Sequence, residues 1–365
     1  MPDRLRVAVL FGGRSCEHEV SIVSARSVIA AIDRQRYDVV MIGIDKGGRW
    51  LCAHDAQRLL GRDVVAGDDL LPVALDYPGG GQLVAAGGAG GDRQSIDVVF
   101  PLLHGPFGED GTVQGLLELA GVAYVGAGVG GSAVGMDKEL SRRVFAAEGL
   151  PQVDYTVVRR HRWEREREAV CAEIEQRFDY PLFVKPVSLG SSIGVVKAHD
   201  GAQLRAGIDE AAQFDYKVMV EAAAQNCREV EVAVLGNEEP EASVPGEIVP
   251  GHEFYDYSDK YLDDRSQLIV PARLGPAMTE RVRSLAVRAF RAVEGAGLAR
   301  VDFFVDPNDQ GVWINEINTM PGFTPISMFP RLWQASGLSY PQLVDRLIEL
   351  ALVRHRDRQR TRTAL

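Results

Sequence analysis

The residues best suited to chemistry lie at positions 299–324, with the sequence ARVDFFVDPNDQGVWINEINTMPGFT. Apolar and polar residues alternate on both sides of a turn-forming stretch, which predicts a β-hairpin. With the turn centred midway, Asp302 lies opposite Glu316. By the same register, Arg300 lies opposite Asn318. Opposed carboxylates repel each other unless a cation lies between them, and carboxylate and amide oxygens are ligands that Mg²⁺ prefers.

Magnesium in proteins usually contacts substrate phosphates as well, so this hairpin also predicts a nucleoside triphosphate. The opposite face of the hairpin is predicted to be buried and consists of Val301, Phe303, Val305, Trp313 and Ile317. Strict alternation puts Ile314 on the polar face with Glu316 and Asn318. A hairpin whose charges simply face water is the alternative, and position alone leaves both interpretations open.

Two lysines stand beside residues that suit phosphate binding. Lys138 falls in the first turn of a helix that Asp137 caps, where a cation is unfavourable to the helix dipole unless an anion is near. Lys185 ends a strand and leads into the loop 187–194, VSLGSSIG, whose backbone N–H groups suit contact with phosphates. The glycines precede a strand rather than a helix, so the loop does not follow the GxxxxGK[ST] pattern. A plain glycine turn is the alternative.

Glu17 and His104 occupy positions where α/β folds bind ligands. Residues 7–11, VAVLF, predict a buried strand, which a glycine turn and an amphipathic helix follow. Glu17 lies near the start of this helix, where the dipole favours a carboxylate, so helix capping and ligand binding explain it equally well. His104 follows a later strand, at the edge where open α/β sheets bind ligands. A structural role for His104 is the alternative.

The composition is that of a globular chain of two or three domains, with 365 residues, 46% of them hydrophobic and 25% charged. The net charge of −11 argues against a general nucleic-acid binder but allows a local basic pocket for phosphates. The four cysteines are widely spaced, and no apolar run reaches membrane-spanning length. We therefore expect a reduced, cytoplasmic protein that binds neither nucleic acid nor membrane.

The order of elements predicts an α/β region with a parallel sheet, followed by further strands and helices. A glycine-rich connector is predicted at 126–135, and the glycine-rich segment 78–91 is predicted to be a surface loop or a loose hairpin. Aromatic and charged residues interleave at 251–265, which is typical of an ordered lid. The last helix is predicted to end at Val353, and the arginine-rich tail 354–365 to be a disordered, solvated end.

Six motifs follow one another along the chain: GGRSCEHEVS, LLHGPFGEDG, KPVSLGSSIGV, FYDYSDKY, ARVDFF and NEINTMPGFT. Together they resemble the motifs of the D-alanine:D-alanine ligases of the ATP-grasp superfamily. The resemblance covers nearly the whole chain and implies an ATP-grasp fold that is α/β and α+β, with three domains. These are a Rossmann-like N-terminal domain (1–126), a central ATP-grasp domain (127–226), and a C-terminal ATP-grasp domain (227–365) with the lid 251–265 and the metal hairpin 299–324.

The resemblance also implies a reaction. Members of this family join two D-alanine molecules to D-alanyl-D-alanine through an acylphosphate, with release of ADP and phosphate, for the synthesis of peptidoglycan precursors. The implied cofactors are ATP and two Mg²⁺ ions, or Mn²⁺ in their place. The implied partners are these small molecules and a second copy of the chain in a homodimer, with no nucleic acid and no membrane.

Matching the family's motifs residue by residue implies the following roles. The metal ligands are Asp302, Glu316 and Asn318. The ATP contacts are Lys138, Lys185, Ser191, Ser192, Glu221, Glu229, Asn318 and the lid residue Lys260. Glu17 holds the ammonium group of the first D-alanine in a hydrogen-bonded triad with Ser191 and Tyr261, and His104 lies near that substrate. Arg300 and the Gly322 N–H stabilise the oxyanion. The carboxylate of the second D-alanine is held by Ser327 and Met328.

Three other functions are compatible with parts of this pattern. A ligase that joins D-alanine to D-serine or D-lactate would share the clasp around ATP and differ in the second subsite. Tyr261 argues against D-lactate, since the family's lactate variants lack that tyrosine. An inactive ATP-binding sensor would keep Lys138 and Lys185 but could lose Arg300 or metal ligands, all of which are present. A nicotinamide dehydrogenase would need a fuller glycine fingerprint near Gly12.

Overall fold

The computed structural model describes residues 4–53, 60–61, 63–67, 70–77, 80–86, 93–251, 266–324 and 326–362. Three β-sheets organise this part of the chain. The strands of the first sheet are β1 (Leu5–Gly12), β2 (Tyr37–Ile44), β3 (Trp50–Cys52), β4 (Leu71–Leu75), β5 (Gln82–Ala85), β6 (Gln94–Ser95), β7 (Val98–Pro101) and β8 (Ala123–Tyr124). The helices within this region are α1 (His18–Ala31) and α2 (Thr112–Leu119).

The second and third sheets are antiparallel. The second sheet contains β9 (Tyr155–Arg159), β10 (Leu182–Pro186), β11 (Val196–Ala198) and β12 (Lys217–Ala222). The third contains β13 (Arg228–Gly236), β14 (Glu241–Ala242), β15 (Gly246–Val249), β16 (Gln267–Ile269), β17 (Gly297–Val305) and β18 (Val312–Asn318). The helices after α2 are α3 (Val129–Met136), α4 (Lys138–Ala147), α5 (Arg160–Arg177), α6 (Gly201–Phe214), α7 (Pro276–Ala292), α8 (Met328–Ala335) and α9 (Tyr340–Arg358).

The first sheet is parallel, as predicted, only in its centre. Its order is β6-β5-β4-β3-β2-β1-β7-β8. The strands β2, β1, β7 and β8 are parallel, and the remaining strands extend this core in antiparallel fashion. The segment 78–91, predicted as a loop or a loose hairpin, supplies β5 between β4 and β6, while positions 78–79 and 87–91 lie outside the described residues. In the described part of this segment, the predicted hairpin is therefore confirmed, because β5 pairs in antiparallel fashion with β4 and β6.

One face of each antiparallel sheet is covered by helices. The order of the second sheet is β11-β10-β12-β9, and α5 and α6 share a hydrophobic core with it. The order of the third is β16-β15-β13-β17-β18, with β14 paired to β13, and α7 shares a core with β13, β17 and β18. The opposite faces of these two sheets line the cavities described below.

The glycine-rich connector predicted at 126–135 is wrong for most of its length, because α3 occupies it. Its glycines allow close packing of a helix. A Cβ on Gly135 would lie 2.7 Å from a methyl carbon of Thr319. The start of α4 is confirmed, since the Asp137 side chain accepts a hydrogen bond from the Leu140 N–H at 3.0 Å.

The hairpin predicted at 299–324 is formed by β17 and β18, and its register is confirmed. Asp302 pairs with Glu316, and Arg300 pairs with Asn318. The apolar face of the hairpin packs against α7 in a core shared with β13. Burial of that face leaves the four polar side chains on the face that lines the cavities.

A β-bulge in β18 corrects the faces that strict alternation predicted. The pairing shifts between Asp302 and Phe303, so Asn315 has no counterpart on β17. The prediction that Ile314 shares the polar face and that Trp313 joins the buried face is wrong. Ile314 is fully buried and Trp313 is only partly buried. The extra residue puts two consecutive polar side chains on the open face.

The C-terminal helix α9 begins as predicted and ends later than predicted. Ser339 caps it in a capping box with Gln342. The helix then continues past Val353 to Arg358, so the prediction of a disordered tail from position 354 is wrong over this stretch. Residues far away in sequence explain the difference, since Arg354 finds partners at β8 and just after it, and Arg358 finds one on α2.

Arg354 makes the central contact of this stretch. Its Nη1 donates to the carbonyl oxygen of Gly126 at 2.6 Å and its Nη2 to that of Tyr124 at 3.3 Å. The guanidinium also lies over the Tyr124 ring, 4.4 Å from the ring centroid. Arg358 forms an ion pair with Glu118 on α2. The two arginines therefore fasten α9 to the edge of the first sheet at β8.

We expect Arg354→Met to lower the free energy of unfolding by about 1 to 3 kcal/mol, because the two carbonyl groups would lose a charged donor. The exposed Arg356→Met is the matched control and should change stability little. Urea denaturation of both variants measures the difference. Equal stability of the two variants would contradict the assignment of Arg354 as a fastening residue.

Over the part of the chain that the structure describes, no helix combines the length and apolar character needed to cross a membrane. The four cysteines, predicted to be free thiols, are unpaired.

Candidate active site

Two adjoining cavities lie between the three sheets. The first cavity lies between the second and third sheets and is covered by the loop 187–194. The second cavity lies between the start of α1, the hairpin β17–β18 and the N-terminus of α8. Both cavities are lined by Gly190, Ser191, Glu231, Arg300 and Glu316. These five residues therefore mark the junction where a ligand in one cavity meets a ligand in the other.

A buried chain of charges borders the first cavity. Lys185, on β10, donates to Glu221 Oε1 of β12 at 2.5 Å and to Asn315 Oδ1 at 3.3 Å. Burial lowers the pKa of Lys185, and the charge of Glu221 opposes that shift. The second carboxylate oxygen of Glu221 accepts from Arg142 Nη2 at 2.8 Å, and the Arg142 side chain is only 1% exposed. Cations at this depth suit a ligand that carries several negative charges.

Three carboxylates stand side by side where the cavities meet. Asp302 is flanked by Glu231 on β13 and by Glu316 on β18. Arg300 donates from Nε and Nη2 to the two oxygens of Asp302, at 2.7 Å each, and its Nε lies 3.0 Å from Glu231. Lys138 Nζ lies 3.2 Å from Glu316 Oε2. Burial acts to lower the pKa of Arg300, but the charges of Asp302 and Glu231 raise it well above its ordinary value.

The donor set of the hairpin fits Mg²⁺. Asp302, Glu316 and Asn318 offer two carboxylates and one amide oxygen from one face, and all are hard oxygen donors. Among the described residues no cluster of three His, Cys, Asp or Glu side chains is arranged for a metal ion, so this mixed set is the candidate. The Asn318 side chain lies directly beside Asp302, since its Nδ2 donates to Asp302 Oδ2 at 3.1 Å.

The loop 187–194 connects the two cavities. Lys138 Nζ donates to a carbonyl oxygen of this loop at 2.7 Å. Ser191 and Ser192 have φ angles of 51° and 57°, a left-handed backbone that costs a residue with a side chain about 1 to 3 kcal/mol. The Ser191 hydroxyl donates to Oε1 of Glu17. The loop thus lines both cavities through Gly190 and Ser191, and it contacts Glu17 through the Ser191 hydroxyl.

Glu17 is a buried carboxylate of the second cavity and is only 6% exposed. Glu17 is the N-cap residue of α1, but its side chain makes no capping hydrogen bond, so side-chain capping does not explain it. Within the described part of the chain, Oε2 of Glu17 has no hydrogen-bond partner. Gly105 and Gly190 make room for this oxygen, because a Cβ on them would lie 2.8 Å and 3.2 Å from it. A buried carboxylate oxygen without a donor suits a cationic ligand group.

His104 and Glu109 form another wall of the second cavity. The Nδ1 of His104 lies 3.2 Å from the Met320 carbonyl oxygen, and its Nε2 lies 3.1 Å from Ser24 Oγ. Because a carbonyl oxygen only accepts, Nδ1 carries the proton and Nε2 accepts from the serine hydroxyl. Burial lowers the pKa of His104, so the ring is neutral. Glu109 Oε2 accepts from the Gly105 N–H at 2.6 Å.

The segment after β18 brings Gly322 and Ser327 to the second cavity. Phe323 anchors this segment to the first sheet, since its buried ring meets that of Phe100 edge to face with centroids 5.7 Å apart. Ser327 is the N-cap residue of α8, and Met328 is the first residue of that helix. The N–H groups of a helix N-terminus favour a negatively charged ligand group.

Comparison with known proteins identifies the family. Models described as D-ala D-ala ligase N-terminus and D-ala D-ala ligase C-terminus match residues 6–127 and 144–349. The chain belongs to the D-alanine–D-alanine ligase family. It is 49% identical to the D-alanine–D-alanine ligase of Heliobacterium modesticaldum, over 98% of this chain and 97% of that protein. It is 47% identical to that of Acetivibrio thermocellus, over 98% of each.

Solved structures of D-alanine ligases share the fold. The D-alanine–D-alanine ligase from Coxiella burnetii is similar with a TM-score of 0.86 and 39% identity, over 98% of this chain and 96% of that one. The VanG D-Ala:D-Ser ligase from Enterococcus faecalis is similar with a TM-score of 0.85 and 35% identity, over 96% of this chain and 100% of that one. The predicted fold class, an ATP-grasp fold that is α/β and α+β, is confirmed.

The residues singled out by the ligase resemblance fall around the two cavities. The first is lined by Lys138, Lys185, Ser191, Ser192, Glu221, Glu229, Arg300, Asp302 and Glu316. The second is lined by Glu17, His104, Ser191, Arg300, Glu316, Asn318, Gly322, Ser327 and Met328. The lid residues Lys260 and Tyr261 lie outside the described residues.

Four residues of the ligase site were not assigned a role from sequence. Glu231 was visible as a second acidic residue on one strand face, but its place beside Asp302 requires the β13–β17 pairing. Asn315 reaches the cavity only because of the bulge. Arg142 lies one helical turn beyond Lys138, a spacing that places it on the same side of α4. Glu109 lies within the second motif, where its neighbours gave no sign that it would line the second cavity.

Proposed function

We propose that this chain joins two D-alanine molecules to D-alanyl-D-alanine in an ATP-dependent reaction that passes through an acylphosphate and releases ADP and phosphate. The main support for this proposal is that two cavities meet at Arg300 and Glu316. One cavity is lined by lysines and by oxygen donors for metal. The other holds a buried carboxylate, one oxygen of which has no partner among the described residues. Relatives that match almost the whole chain are named for this reaction.

The first cavity holds ATP in this proposal. Lys138 and Lys185 contact the phosphates as charge-assisted donors, and the N–H groups around Ser191 and Ser192 cover them. The remaining contacts to ATP come from Glu221, Glu229, Asn318 and the lid residue Lys260. Two Mg²⁺ ions, or Mn²⁺, held by Asp302, Glu316 and Asn318, supply charge neutralisation for the triphosphate when they are bound.

The first D-alanine occupies the second cavity beside Glu17. The unpartnered Oε2 of Glu17 accepts the ammonium group, and the triad with Ser191 and Tyr261 holds the carboxylate side chain in place. His104 lies beside this substrate as a neutral ring. The substrate carboxylate then points to the junction of the cavities, where its oxygen bonds to the γ-phosphorus as the bond to ADP breaks. The amine of the second D-alanine attacks the resulting acylphosphate, and phosphate leaves as the peptide bond forms. Arg300 and the Gly322 N–H stabilise the oxyanion of the tetrahedral intermediate in this second step.

The second D-alanine lies at the N-terminus of α8, where Ser327 and Met328 hold its carboxylate. D-serine as the second substrate is not favoured, because the relatives with 47% to 49% identity are named D-alanine–D-alanine ligases. The D-Ala:D-Ser ligase of similar fold is 35% identical, so the fold alone does not separate the two substrates. Tyr261 argues against D-lactate as the second substrate.

The test is phosphate release with D-alanine alone, with D-alanine plus D-serine, and with D-alanine plus D-lactate. We expect D-alanine alone to support release, with one dipeptide formed for each phosphate. The mixtures should yield the mixed products at a rate lower by about tenfold or more, because a subsite shaped for one small side chain discriminates on that scale. Absence of release with D-alanine would support an inactive ATP-binding sensor. Faster release with D-serine would support the alternative ligase.

We also propose the domain division 1–126, 127–226 and 227–365, a lid at 251–265 and a homodimer. Each of the three sheets lies within one of these ranges, which supports the division. Because the reaction consumes ATP and supplies a peptidoglycan precursor, we place it in the cytoplasm. Sedimentation equilibrium tests the homodimer, and a monomer at micromolar concentration would contradict it.

A further inference from the structure

Glu109 is a half-buried titratable residue that the proposed reaction does not use. It lines the second cavity together with Glu17. Its Oε2 accepts the Gly105 N–H at 2.6 Å. Gly105 also borders Glu17, because a Cβ on that glycine would lie 2.8 Å from Oε2 of Glu17. Two carboxyl groups are therefore neighbours of the same glycine and face the same cavity.

Within the described part of the chain, the cation that acts on Glu109 is Lys138. The elements packed around Glu109 bring Glu17 from the start of α1, the neutral His104 from its own loop and Lys138 from α4. Lys138 is shared with the metal hairpin, where it lies 3.2 Å from a carboxylate oxygen. Met320 contributes a backbone N–H rather than a charge. Asp110, the next residue, turns its carboxylate to two backbone N–H groups of its own loop.

Two ionised carboxyl groups in such a place repel each other, so one of them keeps its proton. Burial and then the charge of Glu17 raise the pKa of Glu109 to about 8, although the N–H groups and Lys138 oppose this. The direction of this shift favours the protonated form of Glu109 at pH 7. Glu17 accepts the Ser191 hydroxyl through Oε1, and its Oε2 has no hydrogen-bond partner among the described residues.

We propose that Glu109 and Glu17 together receive the ammonium group of the first amino acid, and that Glu109 releases its proton to solvent as this group enters. The inference rests on the proposed function, which places an ammonium group at Glu17. The O–H bond of Glu109 breaks, its proton goes to the buffer, and the amino acid keeps all its protons. Exchange of one proton for one ammonium group leaves the net charge of the buried site unchanged, which avoids an uncompensated charge.

The exchange makes amino-acid binding depend on pH with a defined sign. The occupied site holds fewer protons than the empty site, so affinity rises with pH. The rise extends up to about pH 8, the pKa of Glu109 in the empty site, and affinity levels off above it. Glu109→Gln keeps an oxygen for the Gly105 N–H but cannot ionise, so it should remove this dependence.

The experiment is titration calorimetry of D-alanine into the full-length protein with Mg²⁺ and an ATP analogue that cannot transfer its γ-phosphate. Measurements at pH 7 in phosphate and in Tris, two buffers of different ionisation enthalpy, give the number of protons released. We expect about half a proton or more for each D-alanine bound to the first site. Glu109→Gln should release close to none. The matched control Glu19→Gln, an exposed residue paired with Lys46, should behave as the wild type.

The outcomes separate this inference from the proposed function. Binding of D-alanine by the wild type without proton release would overturn the inference and leave the proposed function intact. Proton release that persists in Glu109→Gln would also overturn it, because another group would then be the source. Absence of D-alanine binding would overturn both. The wild-type measurement needs no variant, so it decides the question even if Glu109→Gln does not fold.

Discussion

Glu316→Gln is expected to lower Mg²⁺-dependent turnover by a factor on the order of a hundred or more while the fold stays intact. Glu316 lines both cavities and pairs with Asp302 across the hairpin. The amide keeps the size of the side chain but removes a negative charge where the charge of metal and phosphate must be balanced. The variant also leaves Lys138 without its ion partner at 3.2 Å. Turnover measured against Mg²⁺ concentration reports both effects.

Asp306→Asn is the matched control for this prediction. Asp306 follows β17 on the same hairpin, outside both cavities, and its Oδ1 accepts the Asn308 N–H at 2.8 Å, a bond that asparagine can keep. Asp306→Asn removes one negative charge, as Glu316→Gln does, but leaves the residues of the cavities unchanged. The turnover of this variant should therefore match that of the wild type. A Glu316→Gln enzyme with the rate and the Mg²⁺ dependence of the control would refute the metal assignment.

Glu17→Gln is expected to weaken binding of the first D-alanine by a factor of about tens to thousands. Cutting one side of a desolvated charge pair typically costs about 2 to 5 kcal/mol, which corresponds to that range. Glutamine retains an acceptor for the Ser191 hydroxyl, so the loop 187–194 should keep its place. ATP affinity should barely change, because Glu17 lines only the second cavity. Saturation with D-alanine and with ATP, measured separately, tests both statements.

Glu19→Gln is the control here as well, since it lies two residues further on and faces solvent. An exposed ion pair such as Glu19 with Lys46 contributes about 1 kcal/mol at most, so D-alanine saturation should be unchanged. Normal D-alanine saturation of Glu17→Gln, or a loss of ATP binding instead, would place the ammonium site elsewhere. Tyr261→Phe should cause a smaller loss than Glu17→Gln, because it keeps the charge that pairs with the substrate.

The sequence determined the features of this protein that arise from neighbouring residues. The hairpin register followed from alternation on both sides of a turn, because side-chain direction in a strand repeats every two residues. Asp137 and Ser339 mark helix starts because a cap acts over three residues along the chain. The order of the six motifs was enough to identify the family, since each motif is a short stretch read without knowledge of the fold.

Tertiary structure alone decided what depends on residues far apart in sequence. Glu231 stands beside Asp302 only because β13 pairs with β17, and alternation within either strand does not contain that pairing. The bulge at Asn315 adds one residue to a strand and changes which side chains face the core, against the local pattern. Arg354 holds its helix because carbonyl groups from β8 and the residues after it lie within reach. Burial is likewise a property of the assembled fold, and partial burial in the cavity that Glu17 also lines raises the pKa of Glu109.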